Sequence, residues 1–251
     1  MRTLVTLVLL TGALYAAACG AVLLLQRSMI YYPQPAAGRP PERLRLDVDG
    51  ARVLVSVQPR PGGGAVLYFG GNAEDVSLSL PELAAAFPQR AIYALHYRGY
   101  GGSTGAPTER ALHADALALF DRVHASHPEV LVVGRSLGSG VAVRLASQRP
   151  VSRLVLVTPF DSLPSLAAPL FPWLPVRWLL LDRYDSARLA PRIATPTLIL
   201  AAERDEVVPR ENTERLLRQF RPGTAKMVVI PASGHNTISA SPAYSAALRA
   251  L

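Results

Sequence analysis

The sequence has 251 residues, 50% of them hydrophobic and 18% charged, a balance that supports one sizeable core and excludes a disordered chain. Its 18 glycines and 22 prolines follow no repeat, which excludes a collagen-like fibre. The net charge is +8, yet Lys226 is the only lysine and the arginines stand singly, without the basic run of a nucleic-acid binder. An anionic membrane surface suits such a charge better. The single cysteine, Cys19, excludes an internal disulfide, and His96, His113, His124, His127 and His235 show no metal-ligand spacing. No metal or cofactor is expected.

From Thr3 to Gln26 no residue is charged. A helix rising about 1.5 Å per residue needs roughly 20 apolar residues to cross a bilayer, and this run supplies them. Arg2 and Arg27 bracket it, and Tyr31 and Tyr32 follow where aromatic rings favour the interface. Residues 1–31 therefore read as a membrane anchor with its flank. Ala16-Ala17-Ala18 before Cys19 also fits a cleaved signal or a lipid-modified cysteine on an exported protein. Against that, the apolar run continues through Leu25. Arg27, Arg39, Arg43 and Arg45 after the span lean toward a cytoplasmic domain.

Residues 32–42 form a proline-rich linker, and residues 43–251 carry strand and helix signals in alternation. Leu44–Val48 and Val53–Val57, joined by Asp49-Gly50, predict a β-hairpin. Ala65–Phe69, Ala91–Tyr97, Val130–Val133, Leu154–Val157, Thr197–Ala201 and Met227–Ile230 are short apolar runs of buried-strand type. Helical stretches are expected at Glu74–Phe87, Thr108–Ser126, Leu137–Gln148, Arg210–Phe220 and Pro242–Ala250. This alternation predicts an α/β fold with a mostly parallel sheet covered on both faces. Residues 160–189, with Phe171, Trp173 and Trp178, predict a small apolar cap; an ordinary core helix is the alternative.

Gly134-Arg135-Ser136-Leu137-Gly138 follows an apolar run and opens a helix. In that strand–turn–helix setting a serine sits exposed on a sharp turn, and the helix N-terminus favours negative charge beside it. A serine hydroxyl needs a base, and His235 is the only histidine downstream, in a loop after the last strand. The imidazole in turn needs an acid. Asp205 follows the strand Thr197–Ala201, with Glu203 and Glu206 as competitors and Asp182 or Asp185 as more remote ones.

Together with Phe69-Gly70-Gly71-Asn72-Ala73-Glu74, Tyr97-Arg98-Gly99-Tyr100-Gly101-Gly102-Ser103, Glu203–Pro209 and Ser233-Gly234-His235, these blocks resemble the α/β-hydrolase-fold serine hydrolases. The chain is similar to their membrane-anchored bud-emergence-protein-like branch and to serine-aminopeptidase-like members. The resemblance implies Ser136, Asp205 and His235 as nucleophile, acid and base. It also implies an oxyanion hole of backbone N–H groups, Asn72 and Leu137, with Gly71 in reserve. The family's first loop usually reads His-Gly-Asn; here it reads Gly70-Gly71-Asn72, which bears on the rigidity of the loop. Arg98 is expected to shape its glycine-rich turn, and His96 to serve packing alone.

The expected activity is hydrolysis of an ester, thioester or amide through an acyl-enzyme, on hydrophobic acyl or lipid-like substrates at a membrane. Phe171, Trp173 and Trp178 are the cap residues expected to receive the acyl group. A chain lacking Met1 to Tyr32 is expected to be soluble and still to hydrolyse short esters. Two alternatives are a catalytically silent anchored scaffold and an aminopeptidase. The latter would need an acidic patch, for which the cap offers Asp161, Asp182 and Asp185.

Overall fold

A computed structural model describes residues 1–251. It begins with one helix, α1 (Arg2–Ile30), long and apolar enough to cross a membrane. β1 (Glu42–Val48) and β2 (Ala51–Gln58) form the expected antiparallel hairpin. Asp49 and Gly50 both take positive φ, 46° and 74°, the turn whose twist matches its flanking strands. β3 (Gly64–Phe69), β4 (Ala91–Leu95), β5 (Glu129–Arg135), β6 (Arg153–Val157), β7 (Thr197–Ala202) and β8 (Ala225–Ile230) complete an eight-stranded sheet. Its spatial order is β1-β2-β4-β3-β5-β6-β7-β8, parallel from β4 onward.

Helices α2 (Leu80–Ala86), α3 (Glu109–His124) and α4 (Leu137–Ala146) precede the cap, and α8 (Arg210–Leu217) and α9 (Pro242–Arg249) follow it. Alternate strand residues feed two cores, as the period of two requires. Leu67, Val132 and Leu156 meet Leu112, Leu119 and Val141 of α3 and α4 on one face. Val66, Leu131 and Val155 share the other with Leu80 of α2 and Leu248 of α9.

Two expectations need correction. The helix expected from Glu74 starts only at Leu80, with Pro81 in its first turn, because the side chains before it are engaged elsewhere. Asp75 accepts the Ala37 and Ser77 N–H groups at 2.6 and 3.0 Å, and Glu74 serves the site described below. β8 is an edge strand with Val228 and Val229 more than a third exposed, although its sequence reads like that of a buried one.

The cap contains three short helices, α5 (Leu163–Ala167), α6 (Val176–Leu179) and α7 (Ser186–Leu189). Its Leu174, Val176 and Leu180 pack against Cys19, Val22 and Ile30 of α1. Gln26 locks this contact, donating to Leu23 O and Leu179 O (3.0 and 3.1 Å) and accepting from Leu181 N–H (2.7 Å). Just after α1, Tyr31 is buried in the main core, and its hydroxyl donates to Asp182 at 3.1 Å. Residues 32–41 then run as a strap along the domain, where Gly101 N–H donates to Gln34 O (2.8 Å) and Ala37 is bound as above.

Candidate active site

Ser136 stands where β5 turns into α4, with φ 49° and ψ −116°. Such a conformation costs a non-glycine residue about 1–3 kcal/mol and survives only where its surroundings enforce it. Here the Ser136 N–H donates to Val157 O (2.9 Å), and Ser139 donates both its N–H and its hydroxyl to Ser136 O (2.9 and 2.6 Å). The flanking glycines answer a shortage of space. A Cβ on Gly138 would overlap the Phe69 and Gly70 carbonyls, and one on Gly134 would strike Gly138 O and Ala142.

His235 Nε2 lies 2.9 Å from Ser136 Oγ, and its Nδ1 lies 2.9 and 3.0 Å from the two Asp205 oxygens. With Nδ1–H donating to the carboxylate, Nε2 is free to accept the serine proton. Asp205 Oδ1 also accepts the Val207 and Val208 N–H groups (3.0 and 2.7 Å), which fixes the carboxylate. Both side chains are buried, so little water competes for these bonds. The competing acids have other work. Glu203 accepts Ala232 N–H (2.9 Å) and Glu206 accepts His235 N–H (3.0 Å). That backbone bond holds the Glu206 carboxyl below its usual range. Asp182 binds Arg27 and Tyr31, and Asp185 caps α7.

The Asn72 and Leu137 N–H groups have no acceptor within the protein. Gly71 lies against the serine, a Cβ there falling 3.5 Å from Ser136 Cβ. Its N–H, however, donates to Glu74 Oε2 at 2.6 Å, so the reserve donor is already engaged.

Glu74, which the sequence placed in the first loop without a role, holds this part of the site together. It also accepts from Tyr68 OH (2.6 Å) and Ser79 OH (2.8 Å) and pairs with Arg135 at 3.2 Å. Arg135 reaches on to His235 O at 3.4 Å. The Asn72 side chain accepts from Tyr32 N–H (3.0 Å) and Tyr100 OH (2.8 Å). These bonds brace a loop that lacks the usual histidine. Farther out, Arg98 makes a bidentate pair with buried Asp115 (2.7–3.2 Å), tying the glycine-rich turn to α3. His96 does have a partner, Ser56 Oγ at 2.7 Å, and burial lowers its pKa to about 4.

The cleft over Ser136 measures about 270 Å³ and is lined mostly by polar residues and backbone, with Val207 at its rim. Phe171 lines a separate apolar groove of about 350 Å³. Trp173 and Trp178 do not line it and are 59% and 88% exposed. α6 is a single turn, so burying Val176 and Leu180 on one side sends Trp178 to the other. The acids that a peptidase reading would use are engaged: Asp161 binds Asn212 and Arg215, and Asp182 and Asp185 act as above.

Two family models match the chain, one for the alpha/beta hydrolase fold over residues 64–182 and one for TAP-like protein over residues 182–251. An uncharacterized protein of Mycobacterium tuberculosis is 39% identical over 230 residues, covering 84% of this chain and 80% of its own length. The chain belongs to the α/β-hydrolase family. Protein bem46 of Schizosaccharomyces pombe is 29% identical over 77% of this chain and 68% of its own. The lysophosphatidylserine lipase ABHD12 of Macaca fascicularis is 32% identical over 57% of this chain and 42% of its own. A solved hydrolase from Pseudomonas aeruginosa superimposes with a TM-score of 0.66 at 19% identity, covering 84% of this chain and 98% of that one, a likeness of fold.

Proposed function

We propose that this α/β hydrolase is a serine hydrolase that cleaves ester or thioester bonds of hydrophobic acyl substrates at a membrane. The observation that carries the reading is the hydrogen-bonded line Asp205–His235–Ser136, ending on a serine held in a strained turn. Ser136 Oγ attacks the acyl carbonyl carbon while His235 Nε2 takes its proton. Asp205 keeps the imidazole in the right tautomer and stabilises the imidazolium. Negative charge on the carbonyl oxygen falls to the free Asn72 and Leu137 N–H groups, aided by the α4 N-terminus. Collapse expels the alcohol or thiol, which receives the His235 proton. Water, deprotonated by His235, then releases the acid and restores Ser136.

Action at a membrane is supported by α1 and by the lipase among the relatives. A fluorophosphonate probe tests the chemistry, since only an activated serine reacts quickly. Labelling should map to Ser136, and Ser136→Ala should lower ester turnover by about 10⁴-fold or more. A Ser136→Ala variant that keeps a tenth of the activity would sink the assignment.

A further inference from the structure

The cleft over Ser136 offers little apolar surface to an acyl chain. The apolar volume lies beyond it, in the groove between α1 and the cap, walled by Val22, Met29 and Ile30 on one side and Leu166, Ala167 and Phe171 on the other. At about 350 Å³ it falls at the low end of ligand-sized cavities, roughly 300–1,000 Å³. Its one amide side chain, Gln26, is already bonded through both its nitrogen and its oxygen, so the groove presents that group to nothing.

Groove and cleft meet at one seam. Tyr32 lines the groove, and its backbone N–H donates to Asn72 Oδ1 at 3.0 Å, while Asn72 lines the cleft. The groove also sits at the level of lipid. Tyr15 OH donates to Trp173 O at 3.0 Å, and Tyr15 lies fifteen residues, about 22 Å, before the end of α1. A span of about 20 residues ending near Gln26 must include that stretch. The exposed Trp173 of the cap therefore stands beside the apolar run of α1, and Leu170, exposed as well, lines the groove with Val22 and Met29.

We infer that this groove is the acyl-chain site of the proposed hydrolase, that its occupant is the acyl chain of a bilayer-resident lipid ester, and that the anchor helix forms one of its walls. The inference rests on the serine-hydrolase reading. A lipid need not leave the membrane to reach the site: its chain lies along α1 and its ester passes Tyr32 into the cleft.

The test uses the full chain in phosphatidylcholine nanodiscs, with kcat/KM measured for nitrophenyl esters from acetyl to dodecanoyl. Each methylene buried in the groove should raise kcat/KM roughly fourfold until the groove is filled. Val22→Trp fills it from the helix and Ala167→Trp from the cap, and each should lower the octanoyl-to-acetyl ratio by about tenfold. Phe171→Ala should move the optimum to longer chains, a gain that a misfolded protein would not show. If acetyl hydrolysis depends on Ser136 while the chain-length profile ignores both tryptophans, the groove is only a packing seam and the inference is overturned. A profile that follows Ala167→Trp but ignores Val22→Trp overturns the part given to α1. Failure of Ser136 to react at all would instead overturn the serine-hydrolase reading.

Discussion

Removing α1 together with Tyr31 and Tyr32 should damage the fold itself, contrary to the expectation drawn from the sequence. Tyr31 is 3% exposed, and truncating a buried aromatic side chain costs about 3–5 kcal/mol. Asp182, also 3% exposed, would lose Arg27 Nε and Tyr31 OH, both at 3.1 Å, and keep only Glu109 N–H at 3.2 Å. Stripping a buried charge of its partner costs about 3–5 kcal/mol. The two groups touch, so the losses overlap and about 5 kcal/mol is the expected total. Total stability is roughly 5–15 kcal/mol, and each kcal/mol moves Tm by about 2–4 °C at this size. A chain beginning at Pro33 should therefore melt about 10–20 °C below the full-length protein in the same detergent. A chain beginning at Ala21 keeps Val22, Gln26, Arg27 and Tyr31 and should melt within about 5 °C of it. Thermal unfolding followed by circular dichroism decides the matter. A chain from Pro33 that melts within about 5 °C of full length would refute the structural role given to the end of α1.

Asp205→Asn should lower kcat by about 10⁴-fold with little change in Tm, because the amide favours the wrong histidine tautomer. Glu203→Gln and Glu206→Gln should matter far less, and a dominant loss in Glu203→Gln would show the acid to be misplaced. Arg135→Met leaves the Glu74 carboxylate buried without its charge partner, and kcat for a short ester should fall about tenfold with KM nearly unchanged; a rise in KM alone would argue against a positioning role. His96 is held neutral down to about pH 4 against an ordinary value of 6.5, so the unfolded chain binds a proton that the folded one refuses between those values. That stability is complete above about pH 6.5 and is lost as pH falls, about 2 kcal/mol of it by pH 5. Burial lowers the pKa of His113 likewise, to about 3. Urea titrations at pH 7 and 5 should therefore show a larger loss than this in the wild type and a smaller one in His96→Gln; equal losses would exclude the His96 imidazole as a source.

The parallel sheet was legible because its inner strands are short apolar runs between turn residues, as at Val130–Val133. Periodicity cannot distinguish an inner strand from an edge one, which is why β8 read like its neighbours. Ser136, Asp205 and His235 could be picked out by their positions after strand ends. Their supports could not. Glu74 and Arg135 are 61 residues apart and Arg27 and Asp182 are 155, distances over which no local pattern links a charge to its partner. The bond that engages the Gly71 N–H is local, to Glu74 three residues on, yet no residue pattern shows which way that carboxylate turns.

The apolar segments show the same limit from the other side. Phe171, Trp173 and Trp178 were grouped by hydrophobicity, yet hydrophobicity sets the wish to leave water and not the face on which a side chain ends. A four-residue turn separated Phe171 in the groove from Trp178 outside it. Gln26 carried the better signal. A lone amide at the end of an apolar run is costly in lipid unless the protein supplies its hydrogen bonds. Here Leu23, Leu179 and Leu181 supply them, so the lone amide marks a point at which α1 docks on the cap. The same physics makes α1 part of the domain: a helix held in register against the cap can form the fixed wall of a groove, and a helix on a free tether could not.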